Sequence, residues 1–223
     1  MEIKKASSVV DPNLKRRIDA LFLCQAISAS DEAQYKTVLE HSNVQWFEPG
    51  EIVLNAGERD RWLYFLLKGS LKVVSDPEAE TVISMLTAGE VFGDLALLTG
   101  KPRGLYVKVP DNVRQATVLA IDFGVIGNLE GSPDISVDTQ ILTYRQLVHI
   151  LRWRNDQYRM RFPANNLAKA PYETVAFEGE PGSKEELQTL ACQANLLAER
   201  LIQLNKELGA LPAVNRVPEH STA

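Results

Sequence analysis

The chain has 223 residues, 45% of them hydrophobic and 24% charged, with a net charge of −5 and a pI of about 5.3. That length gives one large domain or two small ones with a real core, and the apolar content is too high for a disordered chain. The acidic balance excludes nucleic-acid binding by bulk charge, and two distant cysteines, Cys24 and Cys192, exclude a disulfide framework or a four-cysteine metal cluster.

Residues 1–20 are rich in charge and lack an apolar run, so they do not read as a secretory signal. No apolar stretch approaches the roughly 20 residues needed to span a bilayer. The expectation is a cytoplasmic protein that makes no membrane contact.

Residues 1–40 read as short helices. Leu14, Ile18, Leu21 and Phe22 recur at helical spacing, and Ser30 is the candidate N-cap of a second stretch through Val38 and Leu39. Residues 41–130 change character. Short apolar or alternating runs cover 44–47, 51–54, 62–67, 70–75, 81–86, 105–109 and 113–121. Between them stand turn residues such as Pro49-Gly50, Gly57, Gly69, Asp76-Pro77, Gly89 and Gly100. Many short strands at this spacing predict an antiparallel sandwich or barrel, hence an α+β chain once the helices are added.

Residues 131–160 contain a long helix over 134–158, free of Gly and Pro. Ile141, Val148 and Asn155 are seven apart, as are Tyr144, Leu151 and Tyr158. Those are the two seam positions of a heptad, which predicts a homodimer through this helix; packing on the chain's own strands is the alternative. Arg145, Arg152, Arg154, Arg159 and Arg161 make the helix basic, which reads as a solvated face.

Residues 161–223 begin with an irregular connector and continue into a helix over 185–208. Ser183 followed by Glu186 is a capping-box start. Leu187, Leu190, Ala194, Leu197, Leu201, Leu204 and Leu208 follow at 3-4 spacing, and Gly209 is a plausible stop. The stretch from Pro212 to Ala223 reads as frayed.

The chemistry concentrates in residues 89–104. Gly93 lets backbone approach a ligand, and a helical turn beginning at Asp94 would aim free N–H groups at an anion. Arg103 supplies a permanently charged fork suited to phosphate, and Asp94 an acceptor for sugar hydroxyls. The alternative is a plain loop with Arg103 solvated. No Ser/His/Asp constellation or metal-ligand spacing occurs, and the three histidines, His41, His149 and His220, are scattered. The expectation is a non-enzyme with no catalytic residues, no metal and no required cofactor.

This stretch resembles the phosphate-binding cassette of the cyclic-nucleotide-binding domain. Residues 47–57 resemble that domain's opening strand pair, 64–74 its next hairpin and 113–123 its last strand. The resemblance implies a jelly-roll-like β-roll and a ligand site at Phe92, Gly93, Asp94, Leu95, Ala96, Arg103, Gly104 and Leu105, taking cyclic AMP or cyclic GMP as effector. Asp94 stands where that domain usually has Glu, and Leu105 where a smaller residue lines the phosphate. Thr143 and His149 are the polar residues on the long helix nearest to where such domains contact the base.

The whole layout resembles the CRP/FNR family of bacterial transcription regulators, in which a dimerisation helix leads to a winged helix-turn-helix. By that resemblance Asn195 and Arg200 would contact DNA. The residues themselves depart from it. Cys192 stands where a helix-turn-helix needs its break, Leu196 cannot read a base edge, and 183–223 is net acidic. Two readings of the C-terminal region stay open: a degenerate helix-turn-helix, or one long helix over 185–208 that docks a protein partner. They correspond to a dimeric transcription regulator and to an adaptor that no longer binds DNA.

Overall fold

The structure, a computed structural model, describes residues 1–78 and 82–211. Strand β1 (Glu2–Lys5) leads into helices α1 (Pro12–Asp19), α2 (Phe22–Ser30) and α3 (Glu32–Glu40). Asp11 caps α1 by accepting from the Asn13 N–H at 2.9 Å, with proline in the first turn. The cap of α3 is Asp31, not Ser30. Its carboxylate accepts from Ala33 N–H (2.8 Å) and Gln34 N–H (3.0 Å), while Ser30 closes α2.

Two antiparallel sheets follow. One has the order β1-β2-β9-β4-β7, built from β2 (Ser42–Phe47), β4 (Trp62–Lys68), β7 (Val91–Phe92) and β9 (Ala116–Asp122) with β1. The other has the order β3-β8-β5-β6, with β3 (Ile52–Leu54), β5 (Ser70–Val74), β6 (Ser84–Thr87) and β8 (Tyr106–Lys108). Thr81, assigned from sequence to the start of the β6 run, and the stretch from Pro212 to Ala223 lie outside the described residues. The fold is α+β around this antiparallel roll.

Alternation sets the layers. Leu63, Phe65 and Leu67 of β4, with Leu119 and Ile121 of β9, belong to the core shared with the helices. Leu66, Val118 and Ala120, which alternate with them, pack with Leu71 and Val107 of the second sheet. Every residue of β9 is buried because both faces of this strand are covered.

After the short α5 (Phe123–Ile126), the chain forms α6 (Val137–Arg161), α7 (Asn166–Lys169) and α8 (Lys184–Leu208). Ser136 and Ser183 cap the two long helices through the N–H groups of Thr139 and Glu186, each at 3.2 Å. No break interrupts α8. Contacts from Arg145 to Glu186, Asn155 to Leu197 and Tyr158 to Asn205 climb together, so α6 and α8 lie side by side and point the same way. A 25-residue helix is about 37 Å long. The extended stretch 171–183 carries the chain back over that distance. Gln193 of α8 holds it, donating to the Glu173 carbonyl (2.9 Å) and accepting from the Val175 N–H (2.8 Å).

The heptad seam of α6 is therefore filled by its own chain and not by a second copy. Ile141, Tyr144, Val148, Leu151, Asn155 and Tyr158 are all buried. Tyr144 donates to the Gly127 carbonyl (2.9 Å) and meets the Phe123 ring edge-on. Asn155 donates to the Leu197 carbonyl at 3.4 Å, and the Tyr158 hydroxyl lies against Asn205 and the Gly209 carbonyl (2.8 Å). Seven-residue spacing requires an apolar neighbour along the helix, and α8 supplies it. Among the described residues, no helix is long and apolar enough to cross a membrane, and no cluster of His, Cys, Asp and Glu could hold a metal ion.

Candidate functional site

The cassette is framed by two turns, at Gly93 and Gly100. β7 pairs with β4, placing Phe92 opposite Tyr64, and the two rings stack at 5.3 Å. Gly93 then adopts φ +81°, a left-handed conformation that lets the chain turn sharply into α4 (Asp94–Thr99). Gly100, at φ +62°, ends that helix. The segment returning to β8 is clasped by the loop before β4. Gly57 N–H donates to the Arg103 carbonyl (2.8 Å), Arg103 N–H donates to the Glu58 carbonyl (2.9 Å), and Arg59 donates to the Gly100 carbonyl.

These contacts drive the Arg103 side chain inward, where it is only 3% exposed. Its guanidinium forks onto Asp60, donating from Nε to Oδ2 at 3.3 Å and from Nη2 to Oδ1. It also donates to the carbonyls of Trp62 (2.9 Å) and Gly93, and lies over the Tyr64 ring. Four of its five N–H groups are thus engaged among the described residues. A Cβ at position 93 would come within 2.6 Å of Nη1, so glycine is needed there for space as well as for φ. Burial, with the Asp60 charge next, pushes the Tyr64 hydroxyl well above its usual range.

Asp94 is buried too, its side chain 3% exposed. Arg154 of α6 reaches it from the side, donating from Nη1 at 2.7 Å while Nη2 donates to the Val91 carbonyl at 2.8 Å. Burial also holds the Glu90 carboxyl above its usual range, against the pull of the Thr87 N–H and Arg154. A cation and an anion thus stand on either side of Gly93. An anion could be received by Arg103 and a hydroxyl by Asp94, but each already holds a partner from its own chain. A ligand here must exchange partners.

The cassette is also covered from the C-terminal side. Asn195 of α8 donates to the Leu98 carbonyl at the end of α4 (2.9 Å), and Lys101 pairs with Glu199 at 3.2 Å. Leu95 packs into the helical core. Ala96 is half-buried on α4, Leu105 half-buried on the return to β8, and Gly104 exposed. Of the eight residues read from sequence, Phe92, Gly93, Asp94 and Arg103 converge; the other four line the helix and the return loop. Asp60, Tyr64 and Arg154 were not singled out from sequence. Asp60 lay in a turn without a motif, and Arg154 was one of five arginines on a helix read as solvated.

The two residues assigned to DNA do not face outward for base contact. Asn195 holds the cassette, and Arg200 donates to the carbonyls of Leu167 (2.9 Å), Ala168 (3.2 Å) and Ala170 (2.5 Å) while lying over Tyr172. The Thr143 hydroxyl donates to its own helix at the Thr139 carbonyl, 2.8 Å away, and His149 is exposed.

Comparison with known proteins gives a family match within this chain. The family model described as "Cyclic nucleotide-binding domain" matches residues 44–129. A cAMP-dependent protein kinase regulatory subunit of Mycosarcoma maydis is 31% identical over 86 residues, covering 38% of this chain and 16% of that protein. The cAMP-activated global transcriptional regulator CRP of Pasteurella multocida is 26% identical over 117 residues, covering 51% of this chain and 55% of that protein. The chain thus spans about a sixth of the first relative's length and about half of the second's. The regulatory domain of Toxoplasma gondii PKA, solved with cAMP, aligns at a TM-score of 0.42 and 20% identity, over 59% of this chain and 49% of that one. The family-model match begins within β2 and runs through α5, with Gly93, Asp94 and Arg103 inside it, so a cyclic nucleotide-binding domain is present over residues 44–129.

Proposed function

We propose that the chain is a non-catalytic regulator in which a cyclic nucleotide, sensed by the cassette, loosens the α6–α8 pair so that it can engage a protein partner. The Asp94–Arg154 ion pair carries the reading, because it ties the acceptor suited to a ribose hydroxyl directly to α6. A cyclic nucleotide offers a phosphate for Arg103 and a hydroxyl for Asp94. Its arrival competes with Asp60 for one and with Arg154 for the other. Release of Arg154 frees α6 from the cassette, and α8, held there by Asn195 and Glu199, shifts with it. A ligand moves such an equilibrium only by the difference in its affinity for the two states. The kinase and transcription relatives named above, both cAMP-controlled by description, support this effector class.

Protein contact is favoured over DNA as the output. Asn195 and Arg200 are occupied inside the fold, and on α8 the carboxylates Glu185, Glu186, Glu199 and Glu207 outnumber Lys184, Arg200 and Lys206. A DNA module needs the opposite balance.

Calorimetric titration of the full chain with cyclic AMP and cyclic GMP tests the proposal, beside Arg103→Ala and Arg154→Met. The expected result is binding by the wild type, at least tenfold weaker binding by Arg103→Ala, and tighter binding by Arg154→Met, whose Asp94 is released. Hydrogen exchange along 184–208 should rise when nucleotide binds. Absence of binding by both the wild type and folded Arg154→Met would overturn the sensor. Retention of duplex DNA by the nucleotide-bound chain would overturn the choice of output.

A further inference from the structure

A second concave region lies away from the cassette, between α1 and the turns at one end of the roll. Two clefts of about 640 and 700 Å³ open there, and Lys68 and Gln115 line both, so they form one trough with two lobes. Each lobe falls within the usual range of ligand-binding pockets.

The walls carry an excess of positive charge. Arg16 and Arg17 come from α1, Lys68 from the end of β4, and Arg114 from the loop before β9; all four are exposed. None has a carboxylate within ion-pair distance among the described residues, whereas Arg61, Arg103, Arg145, Arg154 and Arg159 all do. Two carboxylates share the walls, and both have local tasks: Asp11 caps α1, and Glu48 accepts from Gln115 at 3.0 Å. In a chain of net charge −5, four cations against two carboxylates, with none of the four ion-paired among the described residues, form a local positive field for an anion.

The lining between the charges narrows the choice of anion. The Trp46 ring is half-buried in one lobe beside Leu14, and Val113 lies in the other. Asn13 and Gln115 add amide groups able to bond a peptide backbone. Cations spaced along a two-lobed trough, with apolar patches between them, suit an extended chain better than a compact phosphate cluster. The two carboxylates and the concave shape also suit it better than a nucleic-acid backbone, which calls for an even basic face.

We propose that this trough docks an acidic, partly apolar peptide segment of a partner protein, with carboxylates on Arg16, Arg17, Lys68 and Arg114 and an apolar side chain against Trp46. The site is separate from the nucleotide cassette and does not depend on its function.

The test is fluorescence anisotropy of the full chain with a labelled peptide of alternating glutamate and leucine, at low and at physiological salt. The wild type should bind, more weakly as salt rises. Lys68→Glu with Arg114→Glu should weaken binding at least tenfold. Arg152→Glu with Arg161→Glu, a reversal of equal charge on α6, should leave it within about twofold. Lys68→Gln with Arg114→Gln gives the same reading by neutralisation alone if the reversal unfolds the chain. No binding, or equal losses for the trough and α6 reversals, would overturn the site. A duplex oligonucleotide that bound more tightly than the peptide, with the same dependence on Lys68 and Arg114, would overturn the choice of partner.

Discussion

Replacing Arg154 by methionine should destabilise the protein more than replacing Asp94 by asparagine, although the two substitutions break the same ion pair. The asymmetry comes from exposure. Asp94 is 3% exposed and Arg154 28%. Arg154→Met strands a buried carboxylate without its cation. That costs roughly 3–5 kcal/mol for a buried pair, and about 3 kcal/mol here because water can enter the part-exposed space that Arg154 leaves. Asp94→Asn leaves a guanidinium that still donates to the Val91 carbonyl and can turn to solvent, a loss of about 1–2 kcal/mol. For a chain of this size, about 2–4 °C per kcal/mol gives a Tm lowered by roughly 6–12 °C for Arg154→Met and about 2–8 °C for Asp94→Asn. The double variant should lose at least about 1 kcal/mol less than the sum, since the ion pair shared by the two sites can be broken only once. Urea unfolding of all four proteins at pH 7 measures these values. Equal losses for the two single variants, or strict additivity, would refute the assignment of Asp94 as the desolvated partner.

Other outcomes follow from single contacts. Gly93→Ala should abolish nucleotide binding and cost over about 1 kcal/mol in urea unfolding, because φ +81° and a Cβ 2.6 Å from Arg103 both resist the methyl group. Tyr158→Phe should cost about 1–2 kcal/mol and speed hydrogen exchange at 205–211, since the hydroxyl ties Asn205, the Gly209 carbonyl and the Leu211 N–H (3.2 Å) to α6. The Gly182 N–H, followed by Arg145, holds the Glu186 carboxyl below the usual range. A depressed carboxylate contributes stability above its unfolded pKa of about 4.3 and loses it as pH falls through the folded value. Wild type should therefore lose Tm more steeply than Glu186→Gln below about pH 4.3; parallel pH–Tm curves would contradict this.

Much of this molecule can be read from residue spacing. Glycines at 93 and 100 mark the two left-handed turns that bound α4, and short apolar runs in 62–67 and 113–121 mark strands β4 and β9. The leucines of 187–208 keep one helical stripe, and α8 is one helix. Spacing is silent about partners. The α6 heptad fixes the existence of an apolar seam along Ile141, Val148 and Asn155, but a second copy and a later helix of the same chain satisfy it equally. The connector decides between them, because 171–183 is long enough to carry the chain back to the start of α6. Ion pairs are harder still. Asp60 and Arg103 lie 43 positions apart, Asp94 and Arg154 60 apart, and nothing local in sequence joins them.

The core that ties α8 to the roll has a consequence for how this chain can be moved or divided. One continuous apolar cluster runs from Ala6 and Ile18 through Leu63, Phe65 and Ile121 to Leu147, Leu197 and Leu204. The stretch 44–129 that matches the family is therefore not a unit of folding. Excised at those limits, it would expose the apolar faces of β4 and β9 to water and self-associate. The boundary visible to evolution and the boundary visible to thermodynamics fall in different places. Any graft of this domain must begin before α1 and end after α8, and a proteolytic cut that separates α8 from the rest would release an aggregating remnant.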